Sequence, residues 1–151
     1  MADDLDIKIL KALQKNSRTP FRDLAKKFGV SAQTISDRVN KMKEKGIIRK
    51  FTVDCDISKL GYELTFFVHV NTKISNLKKV AKRMKSYDEL YCVHITTGSH
   101  DIVGIGVARD TNHLYEIIEN KISQIDGAEK TITYVSLKTM KDKEKIGVIK
   151  R

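Results

Sequence analysis

The sequence predicts an α+β protein in two parts. A helical first third ends in one strand, and strands and helices alternate through the rest. Three observations carry this. Apolar residues recur at three- and four-residue intervals as far as Gly46, then at every second residue from Leu64. Positive charge gathers at the start: residues 1–50 hold 13 Lys and Arg against 6 Asp and Glu, while the remaining 101 residues hold 16 against 13. Such an imbalance implies a polyanionic partner for the first third, either nucleic acid or an anionic membrane surface. A chain of 151 residues buries enough surface to fold without disulfides or metals.

The first helix opens at Asp3 and Asp4, whose charge suits its positive end. Leu5, Ile9, Ala12 and Leu13 form its apolar stripe, with Leu10 at the border. Asn16-Ser17-Arg18-Thr19 interrupts the pattern. Thr19 is the expected N-cap of the second helix, with Pro20 at the first helical position. Phe21, Leu24, Ala25 and Phe28 are its apolar face, and Gly29 is its stop. Ser31 caps the third helix, predicted over residues 32–45.

That helix has one apolar stripe, Ile35, Val39 and Met42. Gln33, Ser36, Asp37, Asn40, Lys41 and Glu44 occupy the opposite side, and Thr34 and Arg38 flank the stripe. Two helices joined by Gly29-Val30-Ser31, the second rich in hydrogen-bonding side chains, define a helix-turn-helix. Gln reads adenine bidentately, while Arg and Lys read guanine or hold phosphate. Residues 47–53 read as a strand serving as a wing, with Arg49 and Lys50 near the phosphate backbone. The expected DNA contacts are Ser31, Gln33, Thr34, Ser36, Asp37, Arg38, Asn40, Lys41, Arg49 and Lys50. The winged helix-turn-helix spans residues 1–53, and the polar stretch 54–62 is the expected hinge.

Beyond the hinge, Leu64, Phe66, Val68 and Val70 alternate with Thr65, Phe67, His69 and Asn71, a strand signature. Ser75 is the expected cap of a helix carrying Leu77, Val80, Ala81 and Met84. A second strand covers 91–96, a turn at Gly98-Ser99-His100 leads to a third at 101–108, and Thr111 caps a helix with Leu114, Ile117, Ile118, Ile122 and Ile125 inward. A fourth strand covers 131–138, and a basic tail covers 141–151. The order βαββαβ over 63–140 is that of a ferredoxin-like domain, with both helices on one face of an antiparallel sheet. Phe67 or Phe66, Cys92 or Val93, and Ile132 with Tyr134 then project from the other face. That face is too apolar to stand bare, which implies pairing with a second copy.

Negative findings narrow the function. No run of 18 apolar residues occurs, and Met1 leads into acidic residues, so neither membrane spanning nor secretion is expected and the expected compartment is the cytoplasm. Cys55 and Cys92 read as two reduced thiols, and His69, His94, His100 and His113 lack ligand spacing, so no metal is expected. No glycine-rich phosphate loop, nucleophile elbow or zinc-protease helix appears, so neither an enzyme nor a bound cofactor is expected.

The chain from about residue 3 to 140 resembles the leucine-responsive regulator / asparagine-synthetase regulator (Lrp/AsnC, feast/famine) family of prokaryotic transcription regulators. The resemblance rests on residues 5–13, Asn16-Ser17-Arg18 through Asp23-Leu24-Ala25, Gly29-Val30-Ser31 with Arg38-Val39, and Glu44-Lys45-Gly46-Ile47-Ile48. Asp56-Ile57-Ser58-Lys59-Leu60-Gly61 resembles the family's connector, and Thr97-Gly98-Ser99-His100-Asp101 its loop before strand three. The resemblance implies operator DNA as partner, homodimers that commonly close into octamers, and an amino acid or related effector bound between C-terminal domains. It places that effector at Gly98, Ser99, His100 and Asp101. There, turn amides can meet a carboxylate and Asp101 an α-ammonium group, with Gly104 and Gly106 leaving room for close approach.

Rival readings are weaker. An RNA-recognition module needs stacking aromatics on a central strand, and residues 102–107 contain none. An acylphosphatase-like enzyme needs an arginine in a phosphate loop after the first strand, and Asn71-Thr72-Lys73-Ile74 lacks one. The serious alternative is an effector-independent architectural protein that wraps DNA through non-specific phosphate contacts.

Overall fold

Asp3 and Asp6 start the chain's first element by capping each other. The Asp3 carboxylate accepts from the Asp6 amide at 2.9 Å, and the Asp6 carboxylate accepts from the Asp3 amide at 3.1 Å. They open α1 (Asp4–Lys15), which is followed by α2 (Phe21–Phe28) and α3 (Ala32–Glu44). The structure is a computed structural model describing residues 2–140, so the 141–151 tail lies outside the described residues. Two compact units result, one ending at Asp54 and one covering Cys55–Met140. No described helix is long and apolar enough to cross a membrane.

In the first unit Ile9, Leu13, Leu24, Ala25, Ile35, Val39 and Met42 pack together, the three stripes the spacing predicted. Gly29 sits at φ 70°, a left-handed conformation that lets α3 leave α2 at once. Two expectations fail here. Pro20, not Thr19, stands at the N-cap of α2, and the Thr19 hydroxyl donates instead to the Asn16 carbonyl. Residues 47–53 form no strand, because no described strand pairs with them to complete a ladder. The Ile47 and Ile48 amides both donate to the Met42 carbonyl and turn the chain off α3. Phe51 then lies beneath the Lys43 ammonium, 5.3 Å from the ring centre.

The expected hinge holds one 3-10 turn, Ile57–Leu60, capped by the Asp56 carboxylate. The second unit then runs β1 (Leu64–Thr72), α4 (Leu77–Lys85), β2 (Leu90–Ile95), β3 (Ile102–Ala108), α5 (Thr111–Ile117) and β4 (Ala128–Val135). The sheet order is β2-β3-β1-β4, with every pair antiparallel, as the ferredoxin-like order requires. Phe66, Val68 and Val70 face the helices and are fully buried with Val80, Met84, Ile102 and Ile117.

Details differ from the sequence reading. Asn76 rather than Ser75 begins α4 without a side-chain cap, and Asp110 rather than Thr111 caps α5 by accepting from the His113 amide. The second helix passes at Ile118–Ile122 into a π turn, closed by Ser123 donating to the Ile118 carbonyl at 2.8 Å. β4 covers Ala128–Val135 rather than 131–138. Gly104 and Gly106 do not leave room for a ligand. A Cβ on Gly106 would lie 2.5 Å from the Glu89 carbonyl oxygen and 2.6 Å from the Phe66 ring, and one on Gly104 2.9 Å from Val68. Their space is taken by the core.

Candidate functional site

With Ile35, Val39 and Met42 turned inward, α3 presents Gln33, Asp37, Asn40 and Lys41 exposed and Ser36 half-buried. The Ser31 hydroxyl accepts from the Thr34 amide at 3.0 Å and bonds the Thr34 hydroxyl at 2.8 Å, so this pair fixes the start of the helix. Gln33 Nε2 donates to Asp37 Oδ1 at 2.8 Å one turn on, so the amide is pre-aligned along the outer face. Arg49 and Lys50 are exposed in the irregular segment after α3. No strand carries them.

Arg38 behaves differently from its neighbours. Its guanidinium donates from Nη1 to Asp3 Oδ2 at 2.5 Å and to Asp6 Oδ1 at 3.0 Å, tying α3 to the capping box of α1. This bond, helped by the Asp6 amide, holds the Asp3 carboxyl below its ordinary value. Arg38 was expected at a base edge or phosphate; the structure gives it two carboxylates instead.

In the second unit the 98–101 loop is held from β1. Asp101 Oδ2 accepts from the Thr72 amide at 2.9 Å and from Asn71 Nδ2 at 3.5 Å, and the Asn71 amide also donates to the Ser99 carbonyl at 2.8 Å. The Thr96 hydroxyl closes the loop on the His100 carbonyl at 2.7 Å. Gly98 takes φ 114°, where a side chain would be strained. The Gly98 and Ser99 amides make no hydrogen bond with described residues, which leaves two donors for an anion. Asp101 was expected to receive an ammonium group; one of its oxygens is already spent on the loop.

The same sheet face carries an aromatic cluster that the loop residues alone did not indicate. The rings of His69 and His100 meet edge-on at 4.5 Å, and those of His69 and Tyr134 at 5.2 Å. Burial, with the His100 charge adding to it, pushes the His69 imidazole below its ordinary value, and its buried Nδ1 has no partner among the described residues. The alternation of β1 held the signal: Phe67, His69 and Asn71 share one face. Register decides which of these side chains face outward. Phe67 opposes Ile105 and Tyr134, and Cys92 opposes Ile105, so Phe67 and Cys92 lie on the open face while Phe66 and Val93 pack against the core. Cys92 Sγ lies 2.9 Å from His94 Nε2, and no group of three or more His, Cys, Asp or Glu is placed to hold a metal among the described residues.

A helix-turn-helix with a polar outer helix, joined to a ferredoxin-like unit with a donor-bearing loop, defines a DNA-binding protein with a ligand-binding domain. Residues 3–49 match winged helix-turn-helix DNA-binding domains, and residues 65–146 match the Lrp/AsnC ligand binding domain. The chain belongs to the Lrp/AsnC family of transcription regulators. It is 38% identical over 141 residues to the HTH-type transcriptional regulator LrpA of Pyrococcus horikoshii, covering 93% of this chain and 100% of that protein. It is also 38% identical over 136 residues to the regulatory protein AsnC of Haemophilus influenzae, covering 89% and 91%. The solved structure of E. coli AsnC superposes with a TM-score of 0.90 at 34% identity, covering 96% and 99%. These relatives are transcription regulators, not enzymes.

Proposed function

We propose that this regulator reads operator DNA with the outer side of α3 and that an amino acid or close relative, bound at the 98–101 loop, adjusts its assembly. The observation that carries the reading is the division of α3. Its three apolar residues are buried in the unit's core, and Gln33, Asp37, Asn40 and Lys41 stand exposed on the other side. Gln33 and Asn40 supply bidentate amides for adenine, and Lys41, Arg49 and Lys50 supply phosphate contacts. Ser31, Thr34 and Arg38 position the helix, and Asp37 and Ser36 border the base-reading groups.

Two copies pair through the open sheet face, covering Phe67, Ile105, Ile132 and Tyr134, the last 51% exposed in the single chain. Burying such a face at about 25 cal/mol per Å² is the driving force, and larger closed rings up to an octamer are built from that dimer. In the effector site the Gly98 and Ser99 amides take the carboxylate, His100 borders it, and Asp101 shapes the loop. Action on genomic DNA puts the protein in the cytoplasm.

The test is thermal shift of the full chain against each of the twenty amino acids, followed by sedimentation with and without any that bind. A ligand that raises the melting temperature and redistributes the oligomers supports the reading. No shift with any of the twenty would remove the amino-acid effector.

A further inference from the structure

We propose that α4, on the second unit, is a further DNA-contacting surface that holds the phosphate backbone of the duplex bound by the first unit. It rests on the DNA reading given above. The helix has nine residues, Leu77 to Lys85, and every exposed position in it is Lys or Arg: Lys78, Lys79, Lys82, Arg83 and Lys85. The inward positions Leu77, Val80, Ala81 and Met84 belong to the core. A surface helix that needed only solubility would carry neutral or acidic groups as well. On α5 and its π turn the exposed residues are Thr111, Asn112, Tyr115, Glu116, Glu119 and Asn120, with no cation among them.

Two of the five cations are already engaged. Lys79 pairs with Asp126, and the Arg83 guanidinium lies over the Tyr87 ring at 5.2 Å. Lys78, Lys82 and Lys85 have no ion pair among the described residues. They stand at i, i+4 and i+7, so they form one stripe about 10 Å long. Like charges stacked at i and i+4 weaken a helix, a cost that an anion lying along the stripe removes. Beside it runs an open groove of about 730 Å³, lined by Lys78, Lys82, Arg83, Ser86, Gln124 and Ile125, with Asp126 at its edge neutralised by Lys79.

The geometry selects the partner. A small phosphate ligand needs donors converging on one point, and these three lysines lie in a line. Duplex DNA offers a linear array, one charge per roughly 1.7 Å of axis. The chain brings its own duplex through the first unit, so the second contact forms at high effective concentration.

The experiment titrates the full chain with a labelled 40-base-pair mixed-sequence duplex across a KCl series. It compares the parent, a Lys78→Gln/Lys82→Gln/Lys85→Gln triple variant, the matching triple Lys→Arg variant, and a Lys59→Gln/Arg109→Gln/Lys138→Gln control with the same charge loss. The inference predicts that the α4 glutamine variant flattens the salt slope by about 0.9 for each lost phosphate contact, two to three units per subunit. The arginine variant and the control keep the parent slope. Circular dichroism of the glutamine variant matches the parent, since Gln is as good a helix former as Lys. An unchanged slope in the glutamine variant overturns the α4 surface alone. Equal flattening in the control also overturns it, since net charge then explains the effect. Anionic vesicles that capture the parent but not the glutamine variant, with the DNA slope unchanged, assign the stripe to membrane and overturn it as well. A parent that binds no duplex at all brings down the DNA reading itself.

Discussion

Arg38 and Asp6, thirty-two positions apart, are joined at 3.0 Å, and the same guanidinium nitrogen reaches Asp3. The start of the first helix is thereby fastened to α3. Asp6 is only 16% exposed and Arg38 31%, so the pair sits at the edge of the helical core, not at its outer surface. Placing α3 rests on this strut and on the Gly29 turn.

That placement gives an unusual expectation for DNA binding. If Arg38 were a phosphate contact, freeing it with Asp3→Asn/Asp6→Asn would strengthen DNA binding. As a strut, its release should weaken binding to all duplexes alike and lower the melting temperature. Arg38→Ala should do the same. Mobility shifts on specific and mixed duplexes, read beside thermal melts, separate the two roles.

Gln33→Ala and Asn40→Ala should each cost about 1–3 kcal/mol and relax selectivity at one base-pair position. Arg49→Ala should weaken every sequence alike and lower the salt slope by about one unit. Competition assays against single-base operator variants check this. Loss of selectivity on Arg49→Ala, with none on Gln33→Ala, would reverse the assignment.

Protonation should destabilise the second unit. Burial lowers the folded pKa of His69 below the ordinary 6.5, so the unfolded chain takes up the proton first as pH falls. Its contribution is therefore complete above about pH 6.5, is lost as pH drops below that value, and stops changing once the depressed folded pKa is passed. Melting temperature against pH should show this loss in the parent and a flatter profile in His69→Phe. A parent profile unaltered by the substitution would remove His69 as the cause.

Gly106→Ala should cost about 1–3 kcal/mol by overpacking, because its new methyl meets both a backbone carbonyl and the Phe66 ring. Urea unfolding of the full chain checks it. Gly98→Ala meets no neighbour but is strained by its φ of 114°, so it should disturb the loop more than the fold. A Gly106→Ala midpoint equal to the parent's would mean that β3 has slack the packing does not show.

What was legible in the sequence was local. The stripe of Ile35, Val39 and Met42 and the alternation of β1 come from repeats of 3.6 and 2, which neighbours in the chain express. Parity across the sheet was not local. Whether Phe66 or Phe67 faces out depends on pairing with residues of β3 and β4, far along the chain. The 47–53 segment has strand-forming residues, but a strand exists only against a partner, and none is present among the described residues. Ile118 and Ile122 kept helical spacing while one extra residue widened the turn into a π bulge. In the candidate sites, the loop and the polar side of α3 were readable from motifs. The bonds that commit Arg38 to α1 and Asp101 to the Thr72 amide join residues about thirty positions apart, and no spacing rule announces them.

The most direct measurement is selection of bound sequences from a random-sequence duplex pool by the full chain, followed by footprinting of the enriched site. A paired, sequence-reading regulator predicts convergence on an inverted repeat with half-sites about one or two helical turns apart, and loss of that enrichment in Gln33→Ala/Asn40→Ala. A pool that stays random after repeated rounds, although the protein binds it, would contradict the account.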